Sequence, residues 1–124
     1  MGIDERTLGN VTVIALDGRL DAETAGALEQ RWSTLVARGD RRFLLDLDKL
    51  SYVSSAGLRV LLLAAKQVRE LSGTMFACRL SPRLEQIFLI SGFTRLIPTR
   101  PSVDGAVEEI ERLGLERASP SRPA

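Results

Sequence analysis

The sequence predicts an α/β layered fold: a mixed, mostly parallel sheet of four to five strands, an antiparallel hairpin at one edge, and about four helices. Three observations predict it. Extended apolar segments alternate with segments of helical periodicity, the pattern of parallel strands joined by crossover helices. Gly9-Asn10 separates two extended runs by two residues, which is a hairpin signal. Ser81-Pro82 opens a helix, and Gly39, Ser72-Gly73 and Gly92 close helices, so the elements are clearly punctuated.

Taken in order, residues 3–8 alternate poorly and suit an edge strand. Residues 11–16 are apolar on both sides, as in a strand covered on both faces. Asp17-Gly18-Arg19-Leu20 is expected to form a loop, and Asp21 to cap a helix over 22–38. Leu28, Trp32, Leu35 and Val36 recur at helical spacing as its buried stripe. Residues 43–47 read as a short buried strand, followed after 49–53 by a second helix over 55–71. Its apolar run 60–65 goes all round the helix, which calls for burial on both sides or for a docked partner, burial under a neighbouring helix being the expectation. Thr74–Cys78 is the next strand, ending on a cysteine expected to be buried and inert. Leu84, Ile87 and Phe88 give the helix after Ser81-Pro82 its apolar face. A short extended piece is expected at Leu96-Ile97, then a last helix over 102–113 carrying Val103, Val107, Ile110 and Leu113 on one side. Residues 116–124 are polar and proline-containing and read as a disordered tail, leaving 1–115 as one domain.

Composition removes several function classes. There is no histidine among the 124 residues, which closes the Ser–His and Cys–His nucleophile arrangements and the histidine-based zinc sites. The single cysteine excludes an intramolecular disulfide, and no cofactor or metal is expected. A net charge of +1 with dispersed basic residues argues against nucleic-acid binding. With a polar start, a longest apolar run too short to span a bilayer and no cysteine pattern of an oxidising compartment, a cytoplasmic protein without membrane insertion is the default expectation. Asp46 and Asp48, two apart at a strand end, are expected to terminate the strand and hold the next loop rather than to act as an acid–base pair. No enzyme is expected.

The informative stretch is Val53-Ser54-Ser55-Ala56-Gly57-Leu58-Arg59-Val60, where two serines and a glycine open the second helix. Serine there has two readings, and local chemistry leaves both open. Its hydroxyl can cap a free N–H of the first turn. It can also carry a phosphate, which would meet free N–H groups and the positive end of the helix dipole, with Arg59 one turn on as a pairing cation.

This segment resembles the signature of the STAS domain found in bacterial anti-sigma factor antagonists. Gly18-Arg19-Leu20-Asp21-Ala22 resembles the family's Gly-x-Leu-Asp segment, and Ser81-Pro82 through Ile90-Ser91-Gly92-Phe93 resembles its later helix and turn. The likeness runs over about residues 3 to 113 and implies a STAS-like fold. It also implies that Ser55 is phosphorylated by a partner, an ATP-binding anti-sigma factor serine kinase, and dephosphorylated by a protein phosphatase. The unmodified protein would bind the anti-sigma factor and release the sigma factor. Asp21, Ser54, Ser55, Gly57, Leu58 and Arg59 are the partner-binding positions so implied, Asp21 serving equally as a cap. Ser54 stands where many members carry aspartate and is a second, minor phosphorylation candidate. The alternative within the fold is a STAS scaffold or regulatory subunit that is never phosphorylated, for example of a lipid transporter.

Overall fold

The computed structural model describes residues 1–118, with side chains through Leu115. Five strands form one sheet in the order β1-β2-β3-β4-β5: β1 Gly2–Leu8, β2 Val11–Leu20, β3 Arg42–Val53, β4 Thr74–Cys78 and β5 Thr99–Arg100. β1 and β2 pair antiparallel across Gly9-Asn10, and Gly9 takes the left-handed φ of 62° that this tight turn needs. The remaining pairs are parallel. They are joined by α1 Ala25–Ala37, α2 Ser55–Glu70 and α3 Pro82–Ile90; α4 Val103–Ala118 follows β5.

Each face of the sheet has its own core. On one, α1 contributes Leu28, Trp32 and Leu35, α2 contributes Leu61, Ala64, Ala65 and Val68, and α3 contributes Leu84 and Phe88. Trp32 packs on Phe43 with ring centroids 4.4 Å apart, and its indole N–H donates to Gln67 Oε1 at 2.8 Å. That bond satisfies the polar atom of a buried ring and ties α1 to α2. On the other face, α4 is the one helix among the described residues that packs, through Ala106, Val107 and Ile110, onto Val11, Val13, Leu44, Phe76 and Cys78. Burial there, with Asp46 adding to it, pushes the Cys78 thiol up to about 12.

Several expectations are corrected. Residues 17–20 are not a loop: β2 runs on to Leu20, with register shifts between Ala15 and Asp17 and between Gly18 and Arg19. β3 likewise continues through Lys49 to Val53, so Asp46 and Asp48 do not end it. Asp46 is buried and receives two hydrogen bonds from the Arg79 guanidinium at 3.1 and 2.8 Å. Burial alone would raise its pKa; the Arg79 bonds and the Asp48 N–H outweigh that and leave its carboxyl below the usual range. The piece at Leu96-Ile97 is not extended: a 3-10 turn over Phe93–Arg95 precedes it and the short β5 follows it. The last helix is longer than expected and takes in 116–118 of the segment read as a tail; residues 119–124 lie outside the described residues. In the run 60–65, Leu61, Ala64 and Ala65 are buried while Leu63 remains 47% exposed, so this helix is covered on one side only.

Candidate functional site

The site is built where the long pair β2–β3 meets the start of α2. In register, Arg19 lies opposite Tyr52 and Leu20 opposite Val53. The next residue, Ser54, donates its backbone N–H to the Leu20 carbonyl at 2.9 Å and turns the chain into the helix. Ser54 is the N-cap. Its backbone is extended (φ −94°, ψ 176°), and its hydroxyl accepts from the Gly57 N–H at 3.2 Å. Ser55 is therefore the first helical residue and is exposed. The amides of Ser55 and Ala56 come too early in the helix for a carbonyl four residues back, so they remain available to an anion.

Gly57 is buried, and a side chain there has no room: a Cβ would fall 2.6 Å from the Leu20 carbonyl oxygen and 2.7 Å from Leu20 Cγ. The absence of a side chain lets the first turn of α2 rest directly on the end of β2. Leu58 is partly buried and packs against the core, so it fixes the helix as well as bordering the surface. Arg59 is exposed, one turn beyond Ser55.

Asp21 follows Leu20 and so flanks the same junction. It is not the cap of α1, which starts at Ala25 with Thr24 at the N-cap position. Instead Asp21 Oδ1 accepts from the N–H groups of Glu23 at 3.0 Å and Thr24 at 3.2 Å, closing a local turn. Thr24 makes no helix cap because its hydroxyl is committed to that turn, donating to the Arg19 carbonyl at 2.8 Å and accepting from the Asp21 N–H at 2.9 Å. A slight burial that opposes ionisation is outweighed by the Glu23 and Thr24 bonds, and the Asp21 carboxyl is held below its ordinary value. Arg19 lies 3.5 Å from Asp21 and stacks 4.2 Å above the Tyr52 ring.

The structure thus brings Asp21, Ser54, Ser55, Gly57, Leu58 and Arg59 to one junction. Sequence reasoning missed Tyr52, which is 42% exposed and stands in a stretch taken for a connection. Only the Arg19–Tyr52 register reveals it. Among the described residues no helix is long and apolar enough to cross a membrane.

Comparison with known proteins bears on this arrangement. The family described as STAS domain matches residues 3–106. A Bordetella bronchiseptica protein, BtrV, provisionally named an anti-sigma factor antagonist, is 39% identical over 99 residues, covering 80% of this chain and 85% of its own. The anti-sigma F factor antagonist of Paenibacillus polymyxa is 26% identical over 102 residues, covering 82% and 87%. Among solved structures, the Bacillus protein SpoIIAA in its phosphorylated form superposes with a TM-score of 0.71 at 19% identity, covering 88% of this chain and 99% of that one. Its unphosphorylated form gives the same TM-score at 18% identity, covering 91% and 98%.

Proposed function

This chain belongs to the STAS domain family, and on that premise we propose that it is an anti-sigma factor antagonist switched by phosphorylation of Ser55. The observation that carries the reading is the division of the two serines. Ser54 spends its hydroxyl on the cap, and Ser55 presents its own to solvent at the positive end of α2. Relatives named as anti-sigma factor antagonists support the partner class.

In this reading residues 1–115 are the working domain, acting in the cytoplasm. The unmodified junction, with Asp21, Leu58, Arg59 and Tyr52 around Ser55, binds an anti-sigma factor and frees its sigma factor. The anti-sigma factor is also the kinase: it transfers the γ-phosphoryl of ATP to Ser55 Oγ, releasing ADP and a proton. The added charge of about −1.5 to −2 is stabilised within the chain by the first-turn amides and the helix dipole, and by Arg59 one turn on. It repels the partner that fitted the neutral hydroxyl, at a junction that already carries the ionised Asp21. A phosphatase that hydrolyses the phosphoserine restores binding.

The test is incubation with a candidate anti-sigma factor kinase and ATP, followed by intact-mass measurement of wild type and Ser55→Ala. A gain of one phosphate in wild type that vanishes in the variant supports the proposal. Stable association with a transporter, with no mass gain in wild type, overturns it in favour of a scaffold role. Ser55→Asp folds like wild type, since a carboxylate suits this position, yet binds the anti-sigma factor poorly; equal binding refutes charge as the switch.

A further inference from the structure

A chain with a net charge of +1 gathers four arginines around one cleft far from Ser55. The cleft, of about 1050 Å³, lies beside the first half of β4, because β5 reaches only Ala77 and Cys78 of that strand. Arg41, Arg42, Arg69 and Arg95 line it, and among the described residues no carboxylate does. Arg41 is engaged, donating to the Val36 and Asp40 carbonyls. Arg42, Arg69 and Arg95 make no ion pair and no side-chain hydrogen bond among the described residues. Unpaired guanidiniums lining one cleft repel one another, which favours an anion among them. The floor is different in kind: Met75, Leu96, Pro98 and Leu113 present apolar surface.

A second observation marks Arg42 as placed. It crosses α4 at Gly114, where a Cβ would fall 2.3 Å from Arg42 Nε. A glycine inside a helix costs about 1 kcal/mol relative to alanine. Here it opens the path by which Arg42 reaches the cleft.

We propose that this cleft binds a small organic phosphate, its phosphate held by Arg42, Arg69 and Arg95 and its apolar body resting on Met75, Leu96 and Pro98. Ser55 and Arg69 stand fourteen residues apart on α2, about 21 Å along the helix axis, so the site is separate from the phosphorylation site and stands without that reading.

The probe is 1-naphthyl phosphate, titrated calorimetrically into the full chain beside pyrophosphate and 1-naphthol. Binding of 1-naphthyl phosphate that is tighter than that of either half-ligand supports the proposal. Arg69→Gln and Arg95→Gln each weaken it at least about tenfold, as loss of a charge-assisted contact requires. Arg83→Gln, an exposed arginine on α3, leaves it unchanged. Gly114→Ala, which displaces the Arg42 guanidinium, also weakens it while circular dichroism reports an intact fold. No binding at millimolar concentration overturns the proposal. So does equal binding by wild type and the Arg69 and Arg95 variants, or pyrophosphate binding as tight as that of 1-naphthyl phosphate.

Discussion

Replacing Gly57 by alanine tests the junction on which the functional site stands. The new methyl would fall 2.6 Å from the Leu20 carbonyl oxygen, 2.7 Å from Leu20 Cγ and 3.0 Å from Val53 Cγ2. The first of these is backbone, and Leu20 is fully buried, so neither side has room to yield. Forcing a methylene-sized group into such a place costs about 1–3 kcal/mol. Lifting the helix also strains the bond from the Gly57 N–H to Ser54 Oγ, and a lost cap is worth about 1 kcal/mol. Alanine's better helix propensity returns at most about 1 kcal/mol. The net expectation is a loss of about 1–3 kcal/mol, with a shift in melting temperature of about 3–6 °C for each kcal/mol in a chain of this length. Urea unfolding followed by Trp32 fluorescence reads it as a lowered midpoint at unchanged m. Gly26→Ala is the control: Gly26 lies in α1 with nothing within 4 Å, so alanine there raises stability by up to about 1 kcal/mol. A Gly57→Ala midpoint at or above that of wild type refutes the close-approach argument.

Ser54→Ala removes the cap and lowers stability by about 1 kcal/mol, while the proposed kinase still adds one phosphate; a variant that folds but gains none assigns the target to Ser54 instead. Asp46→Asn replaces the buried carboxylate that Arg79 grips, lowering stability at pH 7 by about 1–3 kcal/mol, a range that allows for the solvent-exposed side of Arg79. Because folding lowers the pKa of Asp46 below its ordinary 3.8, its contribution is complete above that pH and lost as pH falls through the folded-state value. The two proteins therefore differ fully at pH 6 and converge in acid, as urea midpoints against pH will record; a difference that grows toward acid contradicts this sign. Gln67→Leu strands the Trp32 indole N–H and costs about 1–3 kcal/mol by the same assay.

Much of the fold was legible where local chemistry and tertiary role agree. Thr74–Cys78 is apolar after its first residue and is buried throughout. Ser81-Pro82 opens α3 as its residue types require, with the Ser81 hydroxyl accepting from the Leu84 N–H at 3.2 Å. Two of the misreadings fall together on the C-terminal halves of β2 and β3. There Asp17-Gly18 and Asp46 to Lys49 look like turn material, and two register shifts break the alternation that would betray a strand. These halves are held as strand by pairing with each other, a long-range fact that no local window contains. The start of α1 was misplaced for a related reason, since Asp21 and Thr24 bond to each other's backbone and delay the helix. At the site, the capping serine could be read from its spacing to Gly57, whereas Tyr52 could not, because its value lies in facing Arg19 across two strands.

The unequal cores on the two faces of the sheet have a consequence for how the chain comes apart. Among the described residues the three-helix face buries a cluster of 21 apolar residues and the α4 face one of eight, to which α4 itself gives three. α4 adds to that packing the Arg100–Glu109 ion pair and the Asn10 N–H bond to Glu111, so loss of this helix is one discrete local opening that leaves the core of β1 to α3 in place. Undocking uncovers Cys78, so the rate at which that thiol takes up a bulky reagent is a clock for this partial opening, distinct from global unfolding. The same event dismantles the wall of the arginine cleft that Leu113 and Gly114 provide, yet leaves the start of α2 seated on Leu20. The molecule therefore has a side closed by one helix and a side closed by three, and Ser55 is on the second.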